Sequence, residues 1–174
     1  FLKEGIQLSK RHSRFFKHIP APSPLRMGIL FLAGAFSSLR PDIIHSYLDE
    51  ANCTAGCAAV MAGVPAHLAS FRSMDPQTAQ YGWEALTFSL YGYLLTHARP
   101  HFEANSRAGV RQYASWLNIA PERIAYCPNG IDPDVYLSPS ANASPELRHA
   151  LHIPQTSPIL LTLGKFTPEK APEV

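Results

Sequence analysis

Charge is scarce in this chain. Asp, Glu, Lys and Arg make up 16% of its 174 residues and leave a formal net charge of +2, too little to argue for a nucleic-acid partner. Cysteine is scarcer: there are three, none in a CxxC pair. That set excludes a disulfide framework and points to a reducing, cytoplasmic compartment. No apolar run is long. The longest, residues 27–36, is about half of the roughly 20 residues that span a bilayer. Internal repeats and low-complexity tracts are absent as well, which removes solenoids and arrays.

What is present is a 46% apolar chain, long enough for one well-buried core, and an ample supply of proline. Of sixteen prolines, Pro41, Pro65, Pro100 and Pro158 each precede an apolar or β-prone run, and Pro128 closes one. Proline cannot donate to a ladder, so these five positions mark strand ends. Between them the pattern predicts helices over 25–39, 50–62, 83–98 and 107–117, and strands over 42–47, 66–71, 102–104 and 124–127. Asp49 is suited to cap the second helix, Gly63 to follow it, and Asn105-Ser106 to cap the fourth. Aromatics spread round residues 83–98 suggest a buried helix. Strand–helix alternation at this spacing predicts an α/β fold with a doubly wound, Rossmann-like parallel sheet.

The strands end in polar residues: His45-Ser46-Tyr47, Arg72-Ser73, Asn105-Ser106 and Asn129-Gly130. In a parallel sheet those ends share one edge, the edge at which ligands bind. A polar connector follows, then a buried-looking strand over 158–163 that runs into Gly164-Lys165, with Lys170 five residues on. A glycine and two lysines past a strand end are suited to holding phosphate; a solvated pair of lysines is the plainer reading. His45 is read as an acceptor contact or a backbone-bonded histidine, and Arg72 as an acceptor contact or the partner of Asp49 or Asp75. Asn129-Gly130 is read first as a turn using positive φ. Cys53 and Cys57 are small buried residues, the sequons at Asn52 and Asn142 are chance, Pro100 keeps His97 and His101 off a shared helical face, and His149/His152 has no third ligand for zinc. The opening residues, 1–24, are irregular, with Lys10, Arg11, Arg14 and Lys17 around Phe15 and Phe16. They are read as a solvated loop or frayed helix, or as a basic, aromatic patch resting on an anionic membrane.

The run Arg40-Pro41-Asp42-Ile43-Ile44-His45-Ser46, the segment Ala62-Gly63-Val64-Pro65 and Ala104-Asn105-Ser106 resemble the first domain of the family 4 glycosyltransferases. So does Pro121-Glu122-Arg123-Ile124 leading to Pro128-Asn129-Gly130-Ile131-Asp132. Leu163-Gly164-Lys165-Phe166-Thr167-Pro168-Glu169-Lys170 is similar to the opening of their second domain. The resemblance implies the two-domain GT-B architecture. Residues 1–133 would supply most of an acceptor-side domain, 134–156 a connector, and 157–174 the first strand of a donor-binding domain. It implies retaining transfer from a UDP- or GDP-linked sugar to a polysaccharide or glycolipid acceptor, without a metal ion or other cofactor. Lys165 and Lys170 would bind the donor diphosphate beside Gly164, and His45, Asp49, Arg72, Asn129 and Gly130 would line the acceptor cleft. The paired glutamates of that family's second domain are not in this chain, so it is expected to be an inactive fragment. The family most often has arginine at the place of Lys165, and often histidine at that of Tyr47. The alternatives are a non-catalytic binding module, a gene remnant, or a sugar-nucleotide epimerase of the same shape.

Overall fold

Proline and glycine punctuate the backbone much as their chemistry requires. The computed structural model describes residues 17–75, 77, 82–134, 145–154, 156–160 and 164. Helix α1, Ser23–Leu39, starts on Pro22 and Pro24 and stops where Arg40 turns left-handed at φ 51, ahead of Pro41. Strand β1, Ile43–Tyr47, leads to α2, Asp49–Ala62, which Gly63 closes at φ 73. Strand β2, Ala66–Phe71, follows Pro65 directly, and β3, His101–Ala104, follows Pro100 directly. Between them lies α3, Glu84–His97. Helix α4, Arg107–Leu117, is capped by Ser106, whose hydroxyl accepts from the Gly109 N–H, and a 3-10 turn at Pro121–Arg123 feeds β4, Ile124–Tyr126. The four strands form a parallel sheet in the order β1-β2-β3-β4.

Alternation gives the sheet two chemically different faces. On one, Ser46, His67, Ala69, Phe71, Phe102, Ala104 and Ile124 are buried. Phe71 organises this core, stacking on Tyr113 at 3.8 Å and on Phe102 at 5.2 Å, with Tyr91 edge-on at 5.7 Å. Helix α2 supplies Cys53, Cys57, Ala58 and Met61 and carries Gly56 where a Cβ would come within 2.8 Å of the His67 ring and of Leu94. The helix is small-residue-rich because it lies hard against the sheet. The other face carries His45, Tyr47, Ser70 and Glu103.

The chain divides into two compact units, residues 1–129 and 130–174. In the second, a short helix α5, Pro145–Ala150, lies within the stretch expected to be a plain connector.

Several expectations change. Asp49 is not the cap of α2: it is the helix's first residue, Leu48 precedes it at φ 70, and no side chain caps that end. Its carboxylate is taken by two tyrosines instead. Residues 158–160 are not a strand, and Ile159 and Leu160 are 51% and 96% exposed. A strand needs a partner, and the second unit offers none among its described residues. Asn129 and Gly130 do not use positive φ, so the expected turn is absent there. Ile19, inside the segment read as solvated, is fully buried, and on α3 Leu90, Tyr91, Tyr93 and Leu94 are buried while the aromatic Phe88 is exposed. Among the described residues, no helix is long and apolar enough to cross a membrane.

Candidate functional site

Glu103 is an acid in the middle of a short strand, and an ionised carboxylate there needs partners. It has them. Register places Ser70 opposite Glu103 and Tyr47 opposite Ser70. The Ser70 hydroxyl donates to Glu103 Oε1, and Arg72 Nη2 donates to the same oxygen at 2.7 Å. Arg72 Nη1 reaches Asn129 Oδ1 at 2.9 Å, and its guanidinium lies 5.1 Å from the centre of the Tyr47 ring. His45 Nε2 is 2.7 Å from the Ser70 hydroxyl and 3.5 Å from Glu103 Oε1. Because Ser70 spends its only proton on Glu103, His45 Nε2 must carry hydrogen and donate. Its Nδ1 then accepts from the Tyr47 hydroxyl at 3.3 Å.

The Ser70 hydrogen bond, with the Arg72 charge and a hydrogen-bond donor on His45 beside it, holds the Glu103 carboxyl below the usual range despite burial. The result is an anion at the back, fixing a guanidinium and an imidazole whose outer sides face solvent. Arg72 keeps 22% of its side chain exposed and His45 keeps 36%. Such a cluster presents hydrogen-bond donors to a polyhydroxylated or anionic ligand. Ser70 itself is fully buried and donates to Glu103, so its hydroxyl is not free to act as a nucleophile.

A second network runs through the helix side of the same strands. Ser46 donates to Asn52 Oδ1 at 2.7 Å, and Asn52 Nδ2 donates to the Ser70 carbonyl at 3.1 Å and the Tyr91 hydroxyl at 3.2 Å. Tyr91 and Tyr113 in turn donate to the two oxygens of Asp49 at 2.8 and 2.9 Å. Burial raises the Asp49 carboxyl above its ordinary value, which the two tyrosine hydrogen bonds oppose. His67 Nε2 lies 2.8 Å from the Ser46 hydroxyl. With that serine proton committed to Asn52, Nε2 is the protonated nitrogen and buried Nδ1 is left without a hydrogen-bond partner. Burial and the nearby His45 lower His67 to about 4.

Of the residues singled out from sequence, His45, Arg72 and Asn129 therefore meet in one cluster. Arg72 pairs with Glu103, not with Asp49 or Asp75. Asp49 stands apart, on the Tyr91–Tyr113 side. Gly130 begins the second unit, with open space where a Cβ would be, and Gly164 is exposed in that unit. Lys165 and Lys170 lie outside the described residues. The sequon at Asn52 is fully buried, and that at Asn142 is outside the described residues. Among the described residues, no three His, Cys, Asp or Glu side chains are grouped to hold a metal ion.

Ser70 and Glu103 escaped the sequence reading. The available signal was an acid flanked by Phe102 and Ala104, a position that register turns into a partner for Arg72.

A four-stranded parallel sheet with helices between its strands, carrying a polar cluster on one face, defines a Rossmann-like α/β domain. The family model for Glycosyltransferase Family 4 matches residues 3–135, and the chain belongs to that family. Comparisons with curated proteins and with solved structures each found no match.

Proposed function

We propose that this chain is part of an enzyme that transfers a hexosyl group from a UDP- or GDP-linked donor to a polysaccharide or glycolipid acceptor. The work would take place at the cytoplasmic face of a membrane, without a metal ion. The observation that carries the acceptor half is the Glu103–Arg72–Asn129 bridge beside His45. An arginine already gripped at two nitrogens lies where ligands meet parallel sheets and loses little freedom when an acceptor hydroxyl or phosphate arrives. The donor half rests on the family resemblance around Gly164. Lys165 and Lys170 would neutralise the charge that grows on the departing nucleoside diphosphate. The catalytic groups would come from a more complete second fold, and the 174-residue chain alone would not turn over.

The test is steady-state kinetics on a protein holding this chain and a complete second fold. Arg72→Ala is expected to raise the acceptor KM about ten-fold or more while leaving the donor KM unchanged, and Lys170→Ala to cut donor kcat/KM by a similar or larger factor. Unaltered donor kinetics in Lys170→Ala would remove the diphosphate role. Free sugar nucleotide of altered configuration, with nothing attached to an acceptor, would indicate an epimerase instead.

A further inference from the structure

Within the first unit, a cavity of about 930 Å³ opens where the starts of α1, α2 and α3 converge. Its size suits a small ligand, and its chemistry is one-sided. Leu25, Leu86, Leu90 and Trp83 provide apolar walls, and Trp83 is 65% exposed. Among the described residues that line it, the only charged side chains are Asp49 and Glu50. The two threonines, Thr54 and Thr87, offer no spare proton, because their hydroxyls donate to the Glu50 carbonyl at 2.6 Å and the Trp83 carbonyl at 2.9 Å.

An anion would meet two carboxylates here, and a neutral polyol could donate to them but would carry no charge to answer theirs. A cation meets both carboxylates and an aromatic face that attracts positive charge. We propose that this cavity binds a small monocationic amine with an apolar body. Its ammonium group lies by Asp49, Glu50 and the indole, and its hydrocarbon part lies against Leu25, Leu86 and Leu90. This site is separate from the Arg72 cluster and does not depend on the sugar-transfer reading.

The experiment titrates the full 174-residue chain with hexylammonium, with hexanol and hexanoate as matched neutral and anionic probes, by calorimetry and tryptophan fluorescence. Hexylammonium is expected to bind saturably and about ten-fold tighter than either control, the combined effect of a partly exposed ion pair and a cation–π contact. Glu50→Gln, a solvent-exposed change that leaves the core untouched, is expected to remove most of that preference. Trp83→Phe should still bind but lose the fluorescence change, which places the ligand at Trp83 and not at Trp116. Equal affinity for the three probes, binding unmoved by Glu50→Gln, or a fluorescence change that survives Trp83→Phe would each overturn the assignment.

Discussion

Single side chains in this protein are often decided by who takes which proton. Ser46 and Ser70 sit on opposite faces of neighbouring strands, and each commits its hydroxyl proton to a stronger acceptor, Asn52 or Glu103. That choice dictates the tautomer of the histidine beside it. Gly56 illustrates a different constraint. Alanine normally gains up to about 1 kcal/mol over glycine inside a helix. Here the added carbon would press on Leu94 and on a His67 ring pinned by Ser46. Overpacking of that kind costs roughly 1–3 kcal/mol, so Gly56→Ala is expected to lower the urea midpoint. A midpoint equal to or above that of the parent would show that the helix has room to move off the sheet.

Elements end where their local chemistry says, with one exception. Ser106 caps α4 as its sequence suggests, and Gly63 closes α2. The start of α2 is different: Leu48 holds φ 70 and ψ 155, a region almost reserved for glycine. What keeps it there is backbone pairing, its N–H to the Ser70 carbonyl at 3.1 Å and its carbonyl to the Asn52 N–H at 2.8 Å. The side chain is 52% exposed, so little burial is lost by removing it. Strain of roughly 1–3 kcal/mol exceeds the entropy that glycine adds to the unfolded chain, about 0.4–1 kcal/mol. Leu48→Gly is therefore expected to be neutral to stabilising by about 1 kcal/mol, in keeping with the acceptance of glycine at a helix N-cap. A clear fall in thermal midpoint would show that the leucine side chain contributes more than its exposure indicates.

At the scale of the molecule, the buried polar groups set how stability responds to pH. His67 is held at about 4 against 6.5 for an ordinary histidine, so the unfolded chain binds the extra proton first. Its contribution is complete above 6.5 and drains away between 6.5 and about 4, by at most roughly 3 kcal/mol. Glu103, depressed when folded, adds a loss at lower pH, below its ordinary 4.5. Asp49, raised when folded, acts in the opposite sense and offsets part of that loss in acid. Chemical denaturation at pH 7 and pH 5 is expected to show a clear drop, flattened in His67→Asn. The same slope in that variant would assign the acid sensitivity elsewhere. The sequence by itself determined the strand and helix order, their proline and glycine boundaries and the family, because periodicity and breakers act over a few neighbouring residues. It also placed Arg72 and Asn129 past strand ends, whereas His45, read as part of a strand end, lies in the middle of β1. Only the tertiary structure decided that Arg72 pairs with Glu103, that Asp49 serves Tyr91 and Tyr113 and caps nothing, and that residues 158–160 form no strand. Those outcomes depend on sheet register and on the presence of a neighbouring strand, which bring together residues 31 to 64 positions apart.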